Sequence, residues 1–210
     1  MSLKLNSSGG GSITLQEPVT AAARTLNLPN EDGTIVTTAT TTGINATALS
    51  TGTVARARLP AGTLLQVSST TKTDTFSTTS TSFTDITGFS VTLTPTSSSS
   101  KFLIQVVANV ANSAADAVMI LLVRDSTALC LGDAAGSRIR ASASNMFTSN
   151  SMSSTCVNFL DSPATASAVT YKIQMRLNTG TGYLNRSGAD VDNAAHPRTA
   201  STITVMEIAG

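Results

Sequence analysis

The sequence has little charge. Only 12% of its 210 residues are Asp, Glu, Lys or Arg, against about 25% in an average soluble protein. Lysine and arginine together number 13 and the acidic residues 12, which leaves a formal net charge of +1. That balance gives no long-range field to steer the chain toward nucleic acid or an anionic membrane. We therefore expect no nucleic-acid partner.

Histidine and aromatic residues are also scarce. The chain has no tryptophan, two tyrosines and a single histidine, His196. Serine is abundant, so a Ser-His-Asp arrangement is possible in principle, but no Gly-x-Ser-x-Gly nucleophile elbow occurs. His196 also lies in a polar stretch that is typical of a solvated loop. We expect that the protein is not an enzyme and that it holds no cofactor.

Cysteine is limited to Cys130 and Cys156. Two cysteines are too few for a disulfide framework or a four-cysteine zinc site. Both lie in apolar, strand-like runs, so we expect buried free thiols, with a single cross-strand disulfide as the alternative. The sequence alone leaves their redox state open.

Long apolar runs are missing as well. No stretch approaches the length of about 18 apolar residues that a membrane-spanning helix requires. The first residues, MSLKLNSSGGGS, contain no apolar core of a secretory signal. We therefore expect neither membrane insertion nor secretion through such a signal.

Threonine, serine, alanine and glycine make up much of the remainder, and their pattern favours strands. Apolar and polar residues alternate at residues 89–93 and 169–177, as in strands with one face on a core and one face in water. Residues 102–107, 118–123 and 202–208 carry apolar residues on both faces, which predicts strands that are buried on both sides, either inside a sandwich or against another subunit. No amphipathic helical period appears. We predict an all-β protein with an antiparallel, jelly-roll-like β-sandwich.

The chain divides into two parts by composition. Residues 1–64 contain short apolar segments broken by Gly, Pro, Asn and Thr, and a Gly-Thr-hydrophobic element recurs at Gly33, Gly52 and Gly62. Each element reads as a turn that leads into a short strand. Such strands cannot bury a core within one chain, so we predict an extended N-terminal attachment arm or intertwined β shaft ordered by partner chains. Residues 65–210 form the predicted sandwich head domain.

Three oxygen-bearing residues near the C-terminus are a candidate calcium site. Asp190, Asp192 and Asn193 supply carboxylate and amide oxygens, which calcium prefers. The stretch lacks the acid spacing and the glycine of an EF-hand loop. An Asx-type turn that closes a hairpin is the plainer interpretation.

Tyr183 is the candidate contact for a receptor. Carbohydrate sites commonly present a flat aromatic face, and Tyr183 lies beside a glycine-rich turn where its ring can be exposed. Tyr171, the other tyrosine, alternates with core positions and is predicted to be buried. The loops at residues 133–140 and 178–197 are the natural contact surfaces.

Both halves of the chain resemble bacteriophage appendage proteins. The stretches SITLQEPVTAAARTLNLPNEDGTIVTT and INATALSTGTVARARLPAGTLLQV resemble the N-terminal repeats and connector of phage fibre and whisker proteins. The stretches FTDITGFSVTLTPTSSSSKFLIQVVANV, LLVRDSTALCLGDAAGSR, FLDSPATASAVTYKIQMR and RTASTITVMEIAG are similar to a distal module of structural proteins of marine and freshwater phages, including cyanophages.

The resemblance implies a virion component, typically a homotrimer, with residues 1–64 attached to other virion proteins and a C-terminal knob. It transfers no catalytic residue. Our leading hypothesis is a homotrimeric fibre or appendage involved in host attachment. One alternative is a capsid decoration or cement protein. Another is a carbohydrate-binding module that recognises a receptor, either a glycan or a protein of the host surface. The sequence does not distinguish head, neck and tail.

Overall fold

The computed structural model describes the backbone of residues 2–6 and 12–16, and residues 58–148 and 151–210 in full. The chain divides into two compact units, Met1–Gly52 and Thr53–Gly210. The described residues are nearly all strand and connecting loop, which confirms the predicted all-β class. No helix in this part of the chain is long and apolar enough to cross a membrane.

The described part of the first unit is a pair of short antiparallel strands. Strand β1 covers Ser2–Asn6 and β2 covers Ser12–Gln16, with Leu5 opposite Ile13. The Gly-Thr-hydrophobic elements at Gly33 and Gly52 lie outside the described residues, as does most of the predicted arm. The arm or shaft therefore stays a prediction.

The second unit contains the remaining strands. In chain order they are β3 (Leu64–Lys72), β4 (Phe76–Thr78), β5 (Thr84–Leu93), β6 (Lys101–Asn112), β7 (Ala117–Arg124), β8 (Thr127–Leu129), β9 (Ala143–Met146), β10 (Met152–Asp161), β11 (Val169–Leu177), β12 (Gly182–Leu184) and β13 (Ser201–Ile208). The predicted head began at residue 65, one position after the start of β3. Just before β3, Gly62 adopts a φ of +88°, a conformation that suits glycine at a turn into a strand.

These strands form one sheet of six and one of five, both antiparallel. In the first sheet β6 is central, with β10 along one edge and β13 followed by β12 along the other. Strand β3 pairs with β13, and β4 pairs with β12. In the second sheet β11 lies between β5 and β7, while β8 and β9 share the far edge of β7.

The strand order is that of a jelly roll. Along the chain, β3, β6, β10 and β13 belong to the first sheet, and β5, β7, β9 and β11 to the second. The chain thus crosses repeatedly between the sheets, and the first and last strands of the second unit, β3 and β13, are neighbours. This double Greek-key arrangement closes two sheets over a shared core. The predicted jelly-roll-like sandwich is confirmed.

The core lies between the two sheets and follows the alternation in the sequence. Phe89, Val91 and Leu93 on β5 are buried, and so are Tyr171 and all the alternate apolar residues of β11. Side chains at every second position of a strand share a face, so each of these strands has one dry side. The inward direction predicted for both strands, including that of Tyr171, is confirmed.

The three strands predicted to be buried on both faces behave differently. In β7, Leu121 and Val123 are buried on the outer side as well, at 7% and 4% exposure. In β6 and β13, outward residues such as Val107 and Met206 remain partly or largely open to solvent, so within one chain these strands are buried on one face only. Burial of their second face against another subunit stays a prediction. Within the chain, these apolar residues form an outer surface.

The predicted burial of both cysteines needs correction. Both thiols are free, and Cys130 is partly buried against the core. Cys156 is exposed, because it occupies an outward position of β10 opposite Val107 of β6. Its apolar neighbours in sequence, such as Val157, point to the other side of the sheet.

A buried polar group connects the two sheets. The Asp161 carboxylate on β10 accepts hydrogen bonds from Arg124 Nη1 at 2.6 Å and Tyr171 Oη at 2.7 Å, both on the second sheet. Burial, reinforced by the hydrogen bond to Asp161, raises the pKa of Tyr171 far above its ordinary value. The tyrosine therefore remains a neutral donor, and the link holds one sheet against the other.

A second inward carboxylate lies in the same row of the first sheet. Glu207 and Asp161 flank Phe102 on the two neighbouring strands, and Glu207 is fully buried. Its carboxylate accepts hydrogen bonds from Gln66 and from both the backbone N–H and the hydroxyl of Thr96, the latter two at 2.6 Å. Burial acts to raise the pKa of Glu207, but these hydrogen bonds outweigh it and lower the pKa.

Candidate functional site

The sequence-derived candidate residues lie on β12 and on the loop of residues 185–200, which joins β12 to β13. Asn185 is fully buried and fixes both ends of this contact loop. Its Nδ2 donates to the Lys72 carbonyl at 2.7 Å, and its Oδ1 accepts from Ser201 Oγ at 2.6 Å. Asn185 has a φ of +62°, a conformation that asparagine tolerates better than most residues. The loop is therefore anchored where it leaves the first sheet and where it rejoins it.

A chain of charged and aromatic contacts organises the contact loop. The guanidinium carbon of Arg186 lies 4.0 Å from the centroid of the Tyr183 ring. Arg186 Nη1 is 3.0 Å from the Asp190 carboxylate, and Arg198 Nη2 is 2.7 Å from its other oxygen. These contacts place two guanidinium groups, one carboxylate and one ring on a partly exposed surface. Arginine stacking on a tyrosine face adds a cation–π attraction to this set.

The calcium candidates are not brought together as a ligand set. Asp190 is paired with Arg186 and Arg198, while Asp192 is exposed. Asn193 Oδ1 accepts the Ala195 N–H at 2.9 Å, so the predicted Asx-type turn is present. It does not close a hairpin, because β12 and β13 each pair with β6 rather than with each other. Within residues 58–148 and 151–210, no three His, Cys, Asp or Glu side chains are grouped as metal ligands. Calcium binding stays a prediction without a described geometry.

His196 contacts a serine, but as part of the loop. Ser187 Oγ lies 2.8 Å from His196 Nδ1 and accepts the Asp190 backbone N–H at 3.3 Å. Ser187 itself is only 7% exposed. The hydroxyl thus joins two points of the contact loop. The expectation that the protein is not an enzyme stays a prediction.

Tyr183, the candidate receptor contact, is half-buried. It occupies the middle of β12, between Ala111 of β6 and Ser77 of β4. Because Arg186 covers one side of the ring, Tyr183 does not offer that side for stacking against a sugar. The sequence drew attention to Tyr183 but missed Arg186 and Arg198. Arg186 and Asp190 are four residues apart in the sequence. That spacing brings two side chains together in a helix, but in a loop it predicts no contact.

A second surface emerges on the outer side of the first sheet. Four paired strands present three rows of outward side chains there. We call these twelve positions the uncharged face, because none of them is charged. They are Cys156, Asn158 and Leu160 on β10, Leu103, Gln105 and Val107 on β6, Thr202, Thr204 and Met206 on β13, and Val67, Ser69 and Thr71 on β3.

One row of the uncharged face is entirely apolar. Leu160 stands opposite Leu103, Leu103 opposite Met206, and Met206 opposite Val67, so an apolar band crosses four strands. The residues at the two ends of the band, Leu160 and Val67, are 51% and 54% exposed, and Val107 two positions beyond Gln105 is 39% exposed. Scattered exposed apolar residues are ordinary on protein surfaces, whereas these four apolar residues lie side by side in one row.

The outer side of the second sheet is different. Strands β5 and β11 carry Asp85, Lys172 and Arg176 there, and we call this surface the charged face. Lys172 Nζ lies 2.8 Å from Asp85, which also accepts from Gln174 Nε2 at 2.7 Å. Arg176 donates to the Thr81 carbonyl at 2.6 Å. The hydrogen bond from Lys172 is the main reason that the pKa of Asp85 is lowered.

Comparison with known proteins identifies no family for this chain. No protein-family model matches the sequence, and no curated protein matches it either. Among solved structures, a chain in "Structure of infectious bursal disease virus Gx strain" is matched with a TM-score of 0.35 and 13% sequence identity, over 99% of this chain and 48% of that one. This chain therefore spans about half the length of the matched chain. A likeness at that level carries no argument, so the fold rests on the strand order described above.

Proposed function

We propose that the protein is a non-enzymatic structural component of a virus particle, a homotrimeric fibre or appendage that takes part in host attachment. The observation that carries the self-assembling part of this proposal is the uncharged face. An apolar band between Leu160 and Val67 exposes surface to water that a monomer has no reason to retain. Burial of that surface between chains stabilises an assembly.

The resemblance of the sequence to phage fibre proteins supports the virion part of the proposal. The jelly-roll order of the sandwich is compatible with it, since viral capsid and lectin domains use this fold. Fold alone does not assign function. The proposed division of labour places attachment to other virion proteins in residues 1–64 and the outward-facing knob in the sandwich.

The test of assembly is the mass of the full chain in solution. Light scattering at micromolar concentration should give about three times the chain mass of 21.4 kDa. A stable monomer at that concentration contradicts the self-assembling proposal.

Virion location is tested separately, by imaging intact particles with an antibody raised against the full chain. Decoration of a fibre or appendage supports the proposal, whereas decoration of the head surface supports the cement-protein alternative.

For host attachment, the contact loop is the proposed contact surface. It presents Arg186, Asp190 and Arg198 together, and Val191 beside them is 50% exposed. Binding of the full chain to host cells should fall at least fivefold in Arg198→Ala, which removes an exposed member of the group. Thr92→Ala, on the charged face, is the matched control. Equal binding by both variants contradicts a role for the loop.

The carbohydrate-binding alternative makes a separate prediction. A glycan array probed with the full chain should give specific signals that Tyr183→Ala abolishes, if the ring stacks against a sugar. An array without signal leaves a protein receptor as the host partner under the leading proposal.

A further inference from the structure

We propose that the uncharged face is the surface at which copies of this chain meet, with the first sheets of three copies turned toward a common axis. The inference rests on the proposed self-assembly and adds to it the surface that forms the contact. It commits to one occupant, a second copy of the same face, and two observations carry it.

The first observation is the distribution of charge. Close to a three-fold axis, equivalent residues of the three copies approach one another, so a charge near the axis meets its own like. The chain contains 13 basic and 12 acidic residues, yet none of them occupies the twelve positions of the uncharged face. The charged face, by contrast, brings Lys172 and Arg176 to the same strand. A self-contact there would oppose like charges.

The second observation is the order of the rows. The apolar row from Leu160 to Val67 is followed by a fully polar, uncharged row that contains Asn158 and Gln105. When a face meets its own copies at the same height along a three-fold axis, each row meets itself. Apolar side chains then bury apolar side chains, while amides and hydroxyls find partners of their own kind. A partner of unrelated sequence has no reason to match this order.

The extent of the uncharged face sets the extent of the contact. Its three rows span residues 103–107 of β6, about 17 Å at about 3.4 Å per residue, and four strands at about 4.8 Å spacing give a width of about 19 Å, hence roughly 320 Å². Lys101, the next outward residue of β6, is exposed and bounds the face beyond Leu103. A stable specific interface buries about 800 Å² on each partner. The uncharged face therefore forms the centre of the contact, and residues around it must add to the buried area.

The first arm of the test changes the mass of the full chain. Val67→Lys and Leu160→Lys each place a charge on an exposed end of the apolar row, where the fold of one chain tolerates it. Light scattering should show the trimer dissociating at least tenfold more readily in either variant. Thr92→Lys is the matched control, since it adds the same charge to an exposed strand position on the charged face, and it should leave the mass unchanged.

The second arm uses Cys156 as an independent probe, because its thiol lies within the uncharged face and is exposed in the isolated chain. Cys130→Ser leaves Cys156 as the single thiol. Labelling of the assembled protein with a maleimide should be at least tenfold slower than labelling of the same protein carrying Val67→Lys. Val67 lies on β3, at the opposite edge of the face, so the new lysine does not act directly on the thiol.

The outcomes separate this inference from the function on which it rests. A monomeric wild-type chain overturns both. A wild-type trimer that survives Val67→Lys and Leu160→Lys, and whose Cys156 reacts as fast as in those variants, overturns the contact surface while self-assembly stands. A trimer lost in both variants, with Cys156 protected only in the parent, supports the assignment.

Discussion

The two outer faces of the sandwich are both formed by paired antiparallel strands, yet one face carries charged side chains and the other carries none among its twelve positions. On the charged face, Lys172 and Arg176 reach over the sheet to Asp85 and to backbone carbonyls. On the uncharged face, the equivalent positions carry hydroxyls, amides and an apolar row. Lysine and arginine lay their apolar stems over a sheet while they keep their charged heads in water. The uncharged face has no such side chains, so its apolar row stays open in the isolated chain.

Inside the sandwich, the few charged side chains have a different role from those on the charged face. Two buried carboxylates, those of Asp161 and Glu207, flank Phe102 in one row of the first sheet, and each accepts at least two hydrogen bonds. These hydrogen bonds connect the two carboxylates to neighbouring strands and loops. Exposed charges therefore cover the outer surface, whereas buried charges connect strands. Substitutions at the two kinds of position should differ in their effect on the free energy of unfolding.

The largest expected effect comes from placing a charge on the inner face. Ile173 is fully buried, so Ile173→Asp forces an unpaired carboxylate into the core at a cost of more than about 4 kcal/mol. Thr92→Asp, an exposed position on the outer side of β5, should cost less than about 0.5 kcal/mol. Chemical denaturation measures both. Equal midpoints would show that the assignment of inner and outer faces is wrong.

The next effect compares a buried ion pair with an exposed one. Asp161→Ala leaves Arg124 and the Tyr171 hydroxyl without their shared partner, and we expect a loss of about 3 kcal/mol. Asp85→Ala removes the exposed pair with Lys172, in which Asp85 is 52% exposed, and should cost less than about 1 kcal/mol. The free energy of unfolding in urea checks this order. A loss at Asp85 as large as that at Asp161 would contradict the different roles of the two carboxylates.

A moderate effect is expected at the connection between the sheets. Gly180 follows β11 of the second sheet, has a φ of +79°, and an added Cβ would lie 2.5 Å from Asn112 Oδ1. Gly180→Ala should therefore destabilise the fold by about 2–3 kcal/mol. Gly136, with a φ of +60° and open space around it, is the control, because alanine there adds backbone strain of about 1 kcal/mol without a clash. Thermal melting compares them, and equal shifts would exclude a steric contribution at Gly180.

The smallest effect concerns pH. Hydrogen bonds lower the pKa of Glu207 in the folded chain below its ordinary 4.5, so its carboxylate contributes stability above that pH and loses the contribution as the pH falls through the folded pKa. At pH 7 the free energy of unfolding of Glu207→Gln should be lower than that of the parent by about 1–2 kcal/mol. This difference should narrow as the pH falls. Asp85→Asn should show a weaker trend of the same sign, since solvent screens that group. A gap for Glu207→Gln that is constant from pH 7 to pH 3 would contradict this account.

The sequence predicted much of the sandwich because strand alternation is a local property. The inward directions of Phe89 and Tyr171 follow from a period of two residues, and the turn at Gly62 follows from the residue type. Alternation could not predict the burial of the outer side where apolar residues occupied both sides of a strand, since β6 and β7 look alike in sequence. Only the packing of the folded chain separates the outer side of β7, which is buried, from that of β6, which is open.

The candidate site was less predictable, because its parts are distant in sequence. Tyr183 was visible as an aromatic beside a glycine-rich turn. Its contact with Arg186, and the pairing of Arg198 with Asp190, depend on how residues 185–200 are held by Asn185. The uncharged face was still harder to find, since Val67 and Leu160 meet in one row only through β6 and β13.

By itself, the sequence determined the all-β class, the inward side of the alternating strands and the scarcity of charge, because each depends on residue type and near neighbours. The tertiary structure decided where the few charges lie relative to one another. Jelly-roll pairing collects outward residues from four distant strands into one uncharged surface, and it places Asp161 against Arg124 and Tyr171 across the sheets. Pairing between distant strands is not encoded in any local period, so those surfaces exist only once the chain has folded.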